Sequence, residues 1–253
     1  MFGLHNFRGS CWVNAGLQGI FRIPEVQKRY TNSEADSSNE TDMALQKIWN
    51  SQGNDGLKDF FASVKHVSVP AGKGVGDAHE LIIYLLDKLP WLDSLCRFKI
   101  ADTIECTSCD YKSMKEDSRI EFSLFPEEKN LPITACIAKE VLSVIPEDSK
   151  CEKCSEKYRK QLMLGTFPKV LILHVFTDPS KCTLYSSVLG INKQKYALLS
   201  TISYNGSHWW AYGRNNVGEE WHTLDDTRVV KHKSDEFPLS GDMRMLIYYQ
   251  LNE

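Results

Sequence analysis

Residues 3–18 read Gly3-Leu4-His5-Asn6-Phe7-Arg8-Gly9-Ser10-Cys11-Trp12-Val13-Asn14-Ala15-Gly16-Leu17-Gln18. Gly9-Ser10 leads into Cys11, and apolar residues at 13, 17, 20 and 21 recur at helical spacing, predicting a helix over about 11–22. A cysteine at a helix N-terminus meets the positive end of the helix dipole, which favours the thiolate. A buried structural cysteine is the competing reading, because free cysteines are commonly buried. An imidazole partner decides between them, since a thiolate nucleophile needs one to form the ion pair and later to protonate the leaving amine.

Seven histidines are available. His174 falls inside an apolar strand pattern and reads as a satisfied core residue; His232 lies in a basic stretch and reads as a solvated edge. His208 follows the turn Asn205-Gly206-Ser207 and opens the strand-like His208-Trp209-Trp210-Ala211-Tyr212, a wall of aromatics suited to a general base. Asp225 and Asp226 follow Trp221-His222-Thr223-Leu224, where a carboxylate can orient an imidazole on the neighbouring strand. Paired carboxylates are equally often turn residues.

A second signal is independent of the first. Cys106-Thr107-Ser108-Cys109 and Cys151-Glu152-Lys153-Cys154 each place two thiols on a tight turn, and two such turns complete the four-sulfur shell of zinc. A closed shell leaves no position for substrate, so Zn2+ here is expected to be structural.

The rest of the chain bounds these readings. Its 253 residues suffice for a packed core, and a net charge of −3 exerts no strong pull on nucleic acid or anionic membrane. No apolar run approaches the roughly 18–20 residues of a membrane span, and no secretory leader pattern opens the sequence. Eight cysteines, four of them in two tight pairs, favour a reducing compartment. Pro24 is read as ending the first helix, residues 31–42 as an exposed loop with almost nothing to bury, and 43–50 and 56–65 as short helices. A loop is read at 70–76. Asp77-Ala78-His79-Glu80 then has the character of a capping box for a helix over about 78–89, with Pro90 as its stop. Beyond Cys96 the texture turns to strands, interrupted by one helix at about 132–143. The expected class is α+β.

Taken in order, these segments resemble the ubiquitin-specific proteases over essentially the whole chain. The stretch 3–18 is similar to that family's Cys box. Asp77-Ala78-His79-Glu80-Leu81 with Leu85-Leu86-Asp87 resembles its acidic helix, and the two Cys pairs its zinc ribbon. Phe167 to His174, Gly206 to Tyr212 and Trp221 to Val229 resemble its later strand motifs. The resemblance implies a papain-like fold with a helical thumb (about 1–95), zinc-ribbon fingers (about 96–165) and a β-rich palm (about 166–253). It implies a deubiquitinase: Cys11 as nucleophile, His208 as base, Asp225 as third member, Asn6 at the oxyanion, Asp226 as a supporting carboxylate, and Asp77, Glu80, Gln18 and Trp209 as substrate-binding residues. Ubiquitin is the implied partner of a monomer acting inside the cell, in cytoplasm or nucleus, or in a host cell for a pathogen's effector. A protease for SUMO or another modifier, and a non-catalytic ubiquitin-binding module, are the alternatives. The sequence departs from the family pattern in several places: Arg8 replaces a glycine, Gly76 a glutamine, Ser207-His208-Trp209 the common Gly-His-Tyr, and the loop between Tyr204 and His208 is short.

Overall fold

The computed structural model describes residues 1–68, 75–126, 131–142, 144–176, 185–232 and 242–251. Residues 70–74 of the loop expected at 70–76, and Cys182, lie outside the described residues. Among those described, the first 96 form six helices: α1 (Cys11–Ile20), α2 (Pro24–Thr31), α3 (Glu40–Asn50), α4 (Leu57–Ser68), α5 (Ala78–Lys88) and α6 (Pro90–Cys96). Strands follow: β1 (Phe98–Cys106), β2 (Lys112–Arg119) and β3 (Phe122–Leu124), then helix α7 (Ile133–Val141) and β4 (Tyr158–Leu164). The chain continues through β5 (Val170–Val175), β6 (Val188–Ile191), β7 (Gln194–Tyr204), β8 (Trp209–Gly213), β9 (His222–Asp225), β10 (Arg228–Lys231) and β11 (Met243–Gln250). The α+β class is as read from the sequence.

The strands form two sheets. One runs β10-β9-β8-β7-β11-β5-β3, with β6 also paired to β7; the other is the ribbon β2-β1-β4. Neighbours are antiparallel except β3 and β5. Alternation along the central strands divides the core. Val170 and Ile172 of β5, with Met245 and Ile247 of β11, join the helices on one face. Leu171, Leu173, Val175, Leu246 and Tyr248 join α7 on the other. Helix α1 lies inside the first of these cores, and all ten of its residues are buried. Gly16 and Gly19 permit that: a Cβ would come within 2.8 Å of Leu81 and 2.9 Å of Ile202, respectively.

Several local expectations are corrected. Pro24 and Pro90 do more than close off the helices before them, which end at Ile20 and Lys88: each also begins the next, because proline at the first helical position sacrifices only an amide that has no partner there. The polar stretch 31–42 buries Asp42 completely, held by Arg29, the Tyr30 hydroxyl and the Asp36 amide. That carboxylate lets α3 begin at Glu40, capped by Asn39. Strand β2, Lys-Ser-Met-Lys-Glu-Asp-Ser-Arg, was not anticipated, since it has no apolar face. It is exposed along almost its whole length and is held by its ladder to β1.

Candidate active site

The loop before α1 is built around one side chain. Asn6 Oδ1 accepts hydrogen bonds from the amides of Gly9 (3.0 Å) and Ser10 (3.1 Å). Arg8 and Gly9 both take left-handed φ values, 53° and 101°. Arg8 thus adopts a conformation that glycine takes freely, at a cost of about 1–2 kcal/mol. The loop delivers Cys11 as the first residue of α1, with its thiol buried.

Asn205 forms the turn on the opposite wall: its Oδ1 accepts from the amides of Ser207 and His208 (3.0 and 2.9 Å). This sets His208 just before β8. The ring Nε2 donates to Asp225 Oδ1 at 2.7 Å and lies 3.9 Å from Asp226 Oδ2. Asp225 therefore holds the ring proton on Nε2 and leaves Nδ1 as the basic nitrogen. Among the described residues no hydrogen bond joins the ring to Cys11. The backbone of Trp209, the residue after His208, lies near the sulfur. Burial pushes the Cys11 thiol above its ordinary value. The Trp209 amide works the other way, and the nearby Asp226 charge adds to the rise. Desolvation is the largest of these influences and favours the neutral thiol.

Asp226 ties the two walls together. It accepts from Asn6 Nδ2 (2.8 Å) and Asn14 Nδ2 (2.7 Å), and its carbonyl accepts from the Leu4 amide (2.8 Å). Asn14 also donates to the carbonyls of Leu4 and His5. Sequence reasoning gave Asn14 no role, although it stands within the Cys box; its position three residues into α1, facing the preceding loop, was the available signal. Gln18, expected to bind substrate, is placed elsewhere. It is buried, and its Nε2 donates to the Phe2 carbonyl (2.7 Å), so it braces the segment leading to Cys11.

A groove of about 440 Å³ continues from this point, lined by Asp77, His174, Phe176, Tyr204, Trp209 and Arg244. Trp209 stacks on Tyr204 with ring centres 4.5 Å apart. Asp77 caps α5 by accepting from the His79 amide (2.8 Å), but its own amide donates to Ser68, so only half of the expected capping box forms and Glu80 stays exposed. Gly76 is explained by its neighbour: a Cβ there would lie 2.5 Å from the Trp12 indole, so the tryptophan occupies the space of the missing side chain.

One cluster was not visible in the sequence. His79 Nε2 meets both oxygens of Glu121 (3.0 and 2.9 Å), and the His79 ring stacks on His174 at 3.8 Å. His174 is thus buried as expected but belongs to a polar cluster. Two imidazoles and a carboxylate can hold a metal in principle. Here the ring planes differ by only 26°, so their lone pairs do not converge, and the arrangement is an ion pair. Burial opposes both charges, yet the His174 ring 3.7 Å away and the His79 hydrogen bonds hold the Glu121 carboxyl down at about 2, and the Glu121 contact raises His79. The histidine's contribution to stability is full below its unfolded value of about 6.5 and is lost as pH rises through the raised value. The carboxylate's contribution is present above its ordinary value and is lost as pH falls through about 2. His79→Gln is therefore expected to cost about 2 kcal/mol at pH 6 and less than half of that at pH 9, read by urea unfolding. An equal cost at both pH values would refute the ion pair.

The four paired cysteines also converge. Cys106 and Cys154 sulfurs are 3.5 Å apart, Cys109 and Cys151 are 3.8 Å apart, and all four lie within 4.8 Å of one another. Amides of Ser108 and Cys109 point at Cys106 and bring its thiol down to about 6. Four such sulfurs can hold a metal ion.

An α+β frame that sets a cysteine at a buried helix terminus against a histidine–aspartate pair is the arrangement of thiol hydrolases. The profile of the ubiquitin carboxyl-terminal hydrolase family matches residues 2–183, most of the sequence, and the chain belongs to that family. The ubiquitin carboxyl-terminal hydrolase 2 proteins of Bos taurus and Homo sapiens are each 24% identical to it, with 98% of this chain and 55% of each relative covered. The chain thus spans about half the length of these curated relatives. Among solved structures, the SAGA DUB module containing Ubp8, Sgf11, Sus1 and Sgf73 bound to monoubiquitin superposes with a TM-score of 0.82. That match covers all of this chain and 69% of the other, at 17% identity. The same module bound to ubiquitin aldehyde gives 0.81 at 16% identity, over all of this chain and 70% of that one. Among the described residues no helix is long and apolar enough to cross a membrane.

Proposed function

We propose that this chain is a deubiquitinase that hydrolyses the amide bond after the C-terminal glycine of ubiquitin through a thioester on Cys11. The observation that carries the reading is the His208–Asp225 bond of 2.7 Å, on the wall facing a buried Cys11 that opens α1. Family membership and neighbours bound to ubiquitin support the substrate.

In the proposed reaction the tail of ubiquitin lies in the groove lined by Asp77 and Trp209, with Glu80 at its exposed edge. His208 Nδ1 takes the Cys11 proton as sulfur bonds to the glycine carbonyl carbon. The carbonyl oxygen becomes an oxyanion. The Asn6 amide, with one hydrogen on Asp226 and the other free, donates to it together with the backbone at Cys11; one such donor is worth about 3 kcal/mol. The carbon–nitrogen bond breaks and His208 returns its proton to the leaving lysine amine. The ring then deprotonates a water that attacks the thioester, releasing the carboxylate and the thiol. Asp225 keeps the ring in the required tautomer throughout.

Residues of about 1–95, 96–165 and 166–253 correspond in this reading to thumb, fingers and palm. Zinc is the metal assigned to Cys106, Cys109, Cys151 and Cys154. Their spacing suits the about 3.8 Å between sulfurs of a tetrahedral shell with bonds near 2.3 Å. When bound, the ion ties the two cysteine turns together. All residues required lie on one chain, which supports a monomer. The seven described cysteines are free, which supports a reducing cellular compartment.

Incubation with ubiquitin bearing a C-terminal electrophile tests the reading. One ubiquitin is expected to attach per chain, at Cys11 by peptide mapping, with SUMO and other modifier probes reacting at least about tenfold more slowly. Labelling elsewhere, or none, overturns the assignment; faster reaction with another modifier overturns the substrate.

A further inference from the structure

Asn14 is the fourth residue of α1 and is 2% exposed. Three oxygens converge on its Nδ2: the carbonyls of Leu4 (3.3 Å) and His5 (3.2 Å), and Asp226 Oδ1 (2.7 Å). Its own Oδ1 is buried and has no hydrogen-bond partner. Turning the amide over would not repair this, because Oδ1 would then face three acceptors. A buried acceptor left unpaired is costly, and the side chain acts here through its donors alone.

The shortest of those contacts leads to the catalytic centre. Asn14 holds Asp226 Oδ1 and Asn6 holds Asp226 Oδ2, so both oxygens of this carboxylate are engaged. His208 Nε2 stands 3.9 Å from Asp226 Oδ2 but 2.7 Å from Asp225 Oδ1. The two adjacent aspartates therefore have different tasks. Asp225 takes the ring proton, and Asp226, on a left-handed backbone with φ 51°, is turned toward Asn6. Asn6 is in turn held at both ends of its amide: Oδ1 by the Gly9 and Ser10 amides, and one Nδ2 hydrogen by Asp226. Because an amide is planar, fixing those atoms also fixes the direction of the second Nδ2 hydrogen.

We propose that Asn14 is a positioning residue for the oxyanion. It fixes Asp226, Asp226 fixes the plane of the Asn6 amide, and the remaining Asn6 hydrogen is thereby aimed at the carbonyl oxygen of the glycine that Cys11 attacks. Asn14 itself touches no substrate. Without it, Asp226 is free to compete with Asp225 for the His208 ring, and the division of labour between the two carboxylates is lost. The inference rests on the deubiquitinase reading.

Hydrolysis of a fluorogenic ubiquitin C-terminal amide by the wild type, Asn14→Ala, Asp226→Ala and the double variant tests this. Asn14→Ala is expected to lower kcat about 10–100-fold and to leave KM within about threefold. Because Asn14 acts through Asp226, the double variant should fall within about threefold of Asp226→Ala alone. Ubiquitin aldehyde forms an adduct with the thiol that carries the oxygen in question. Its affinity should weaken in Asn14→Ala by about the same factor as kcat/KM, whereas affinity for ubiquitin itself is kept. A purely structural Asn14 would weaken both alike. A kcat within about threefold of wild type, losses that multiply in the double variant, or equal weakening for ubiquitin and its aldehyde overturns the proposal. Should Asn14→Ala not fold, the wild type still decides: on forming the aldehyde adduct, one of the two Asn6 Nδ2 hydrogens must shift in the NMR spectrum, and two unmoved resonances overturn it. Absence of any adduct at Cys11 of the wild type defeats the deubiquitinase reading itself, and this inference with it.

Discussion

Cys11→Ala is expected to lower kcat on a ubiquitin C-terminal amide by on the order of 10⁶-fold, because removing the nucleophile removes the covalent route altogether. Stability and binding should barely change. The sulfur is a small buried group whose loss costs about 1 kcal/mol of burial, or about 2–4 °C in melting temperature for a chain of this size. The groove residues are untouched, so the Kd for ubiquitin by calorimetry should stay within about threefold. The pH dependence of the wild type carries a further sign. Burial holds the thiol above its ordinary value, so the thiolate fraction at neutral pH is small and alkylation of Cys11 must keep accelerating through the alkaline range. Turnover by the alanine variant within tenfold of wild type would falsify the nucleophile assignment.

Cys151→Ser is the second large perturbation, and its effect is structural. The three-stranded ribbon has little core of its own. β2 is exposed along almost its whole length, and β4 buries only Leu162. What orders its tip is the meeting of the two cysteine turns, which Thr107 helps to draw together by donating its amide and hydroxyl to the Lys157 carbonyl. Wild-type protein is expected to carry one zinc per chain by elemental analysis, and the variant none. Amide exchange in β1, β2 and β4 should accelerate by at least about 100-fold in the variant, while β5, β7 and β11, central to two apolar cores, keep their protection. Stripping the wild type with a chelator should reproduce the pattern. Undiminished protection in the ribbon without metal would overturn the structural role.

How far these features were legible before the structure depended on whether the deciding partner was local. Helix α1, helix α5 and strands β5, β7 and β11 announce themselves through periodicity, because each has an apolar face to bury. The cysteine pairs carry their geometry in their spacing. Pro24 and Pro90 misled because proline both stops one helix and starts another, and the chain does both within two or three residues. Asp42 misled because a charge reads as exposed until its partners are known, and Arg29 and Tyr30 come from the preceding helix. The His79–Glu121–His174 cluster joins three distant segments and has no local signature. For the site, the order of motifs pointed to Cys11, His208 and Asp225. Where Asn14 and Gln18 point depends on how α1 sits beneath residues 2–6, a fact of packing.

The knot around Asp226 has a bearing on how the molecule is made. A ribosome emits Cys11 some two hundred codons before the aspartate that seats its loop, so at roughly 5–20 residues per second the nascent thiol waits on the order of 10–40 s for its setting. Throughout that interval Asn6 and Asn14 have no carboxylate to hold, and Leu4 has no strand end to meet. A product ending before Asp226 is therefore expected to be inert in the proposed reaction even though its cysteine is intact.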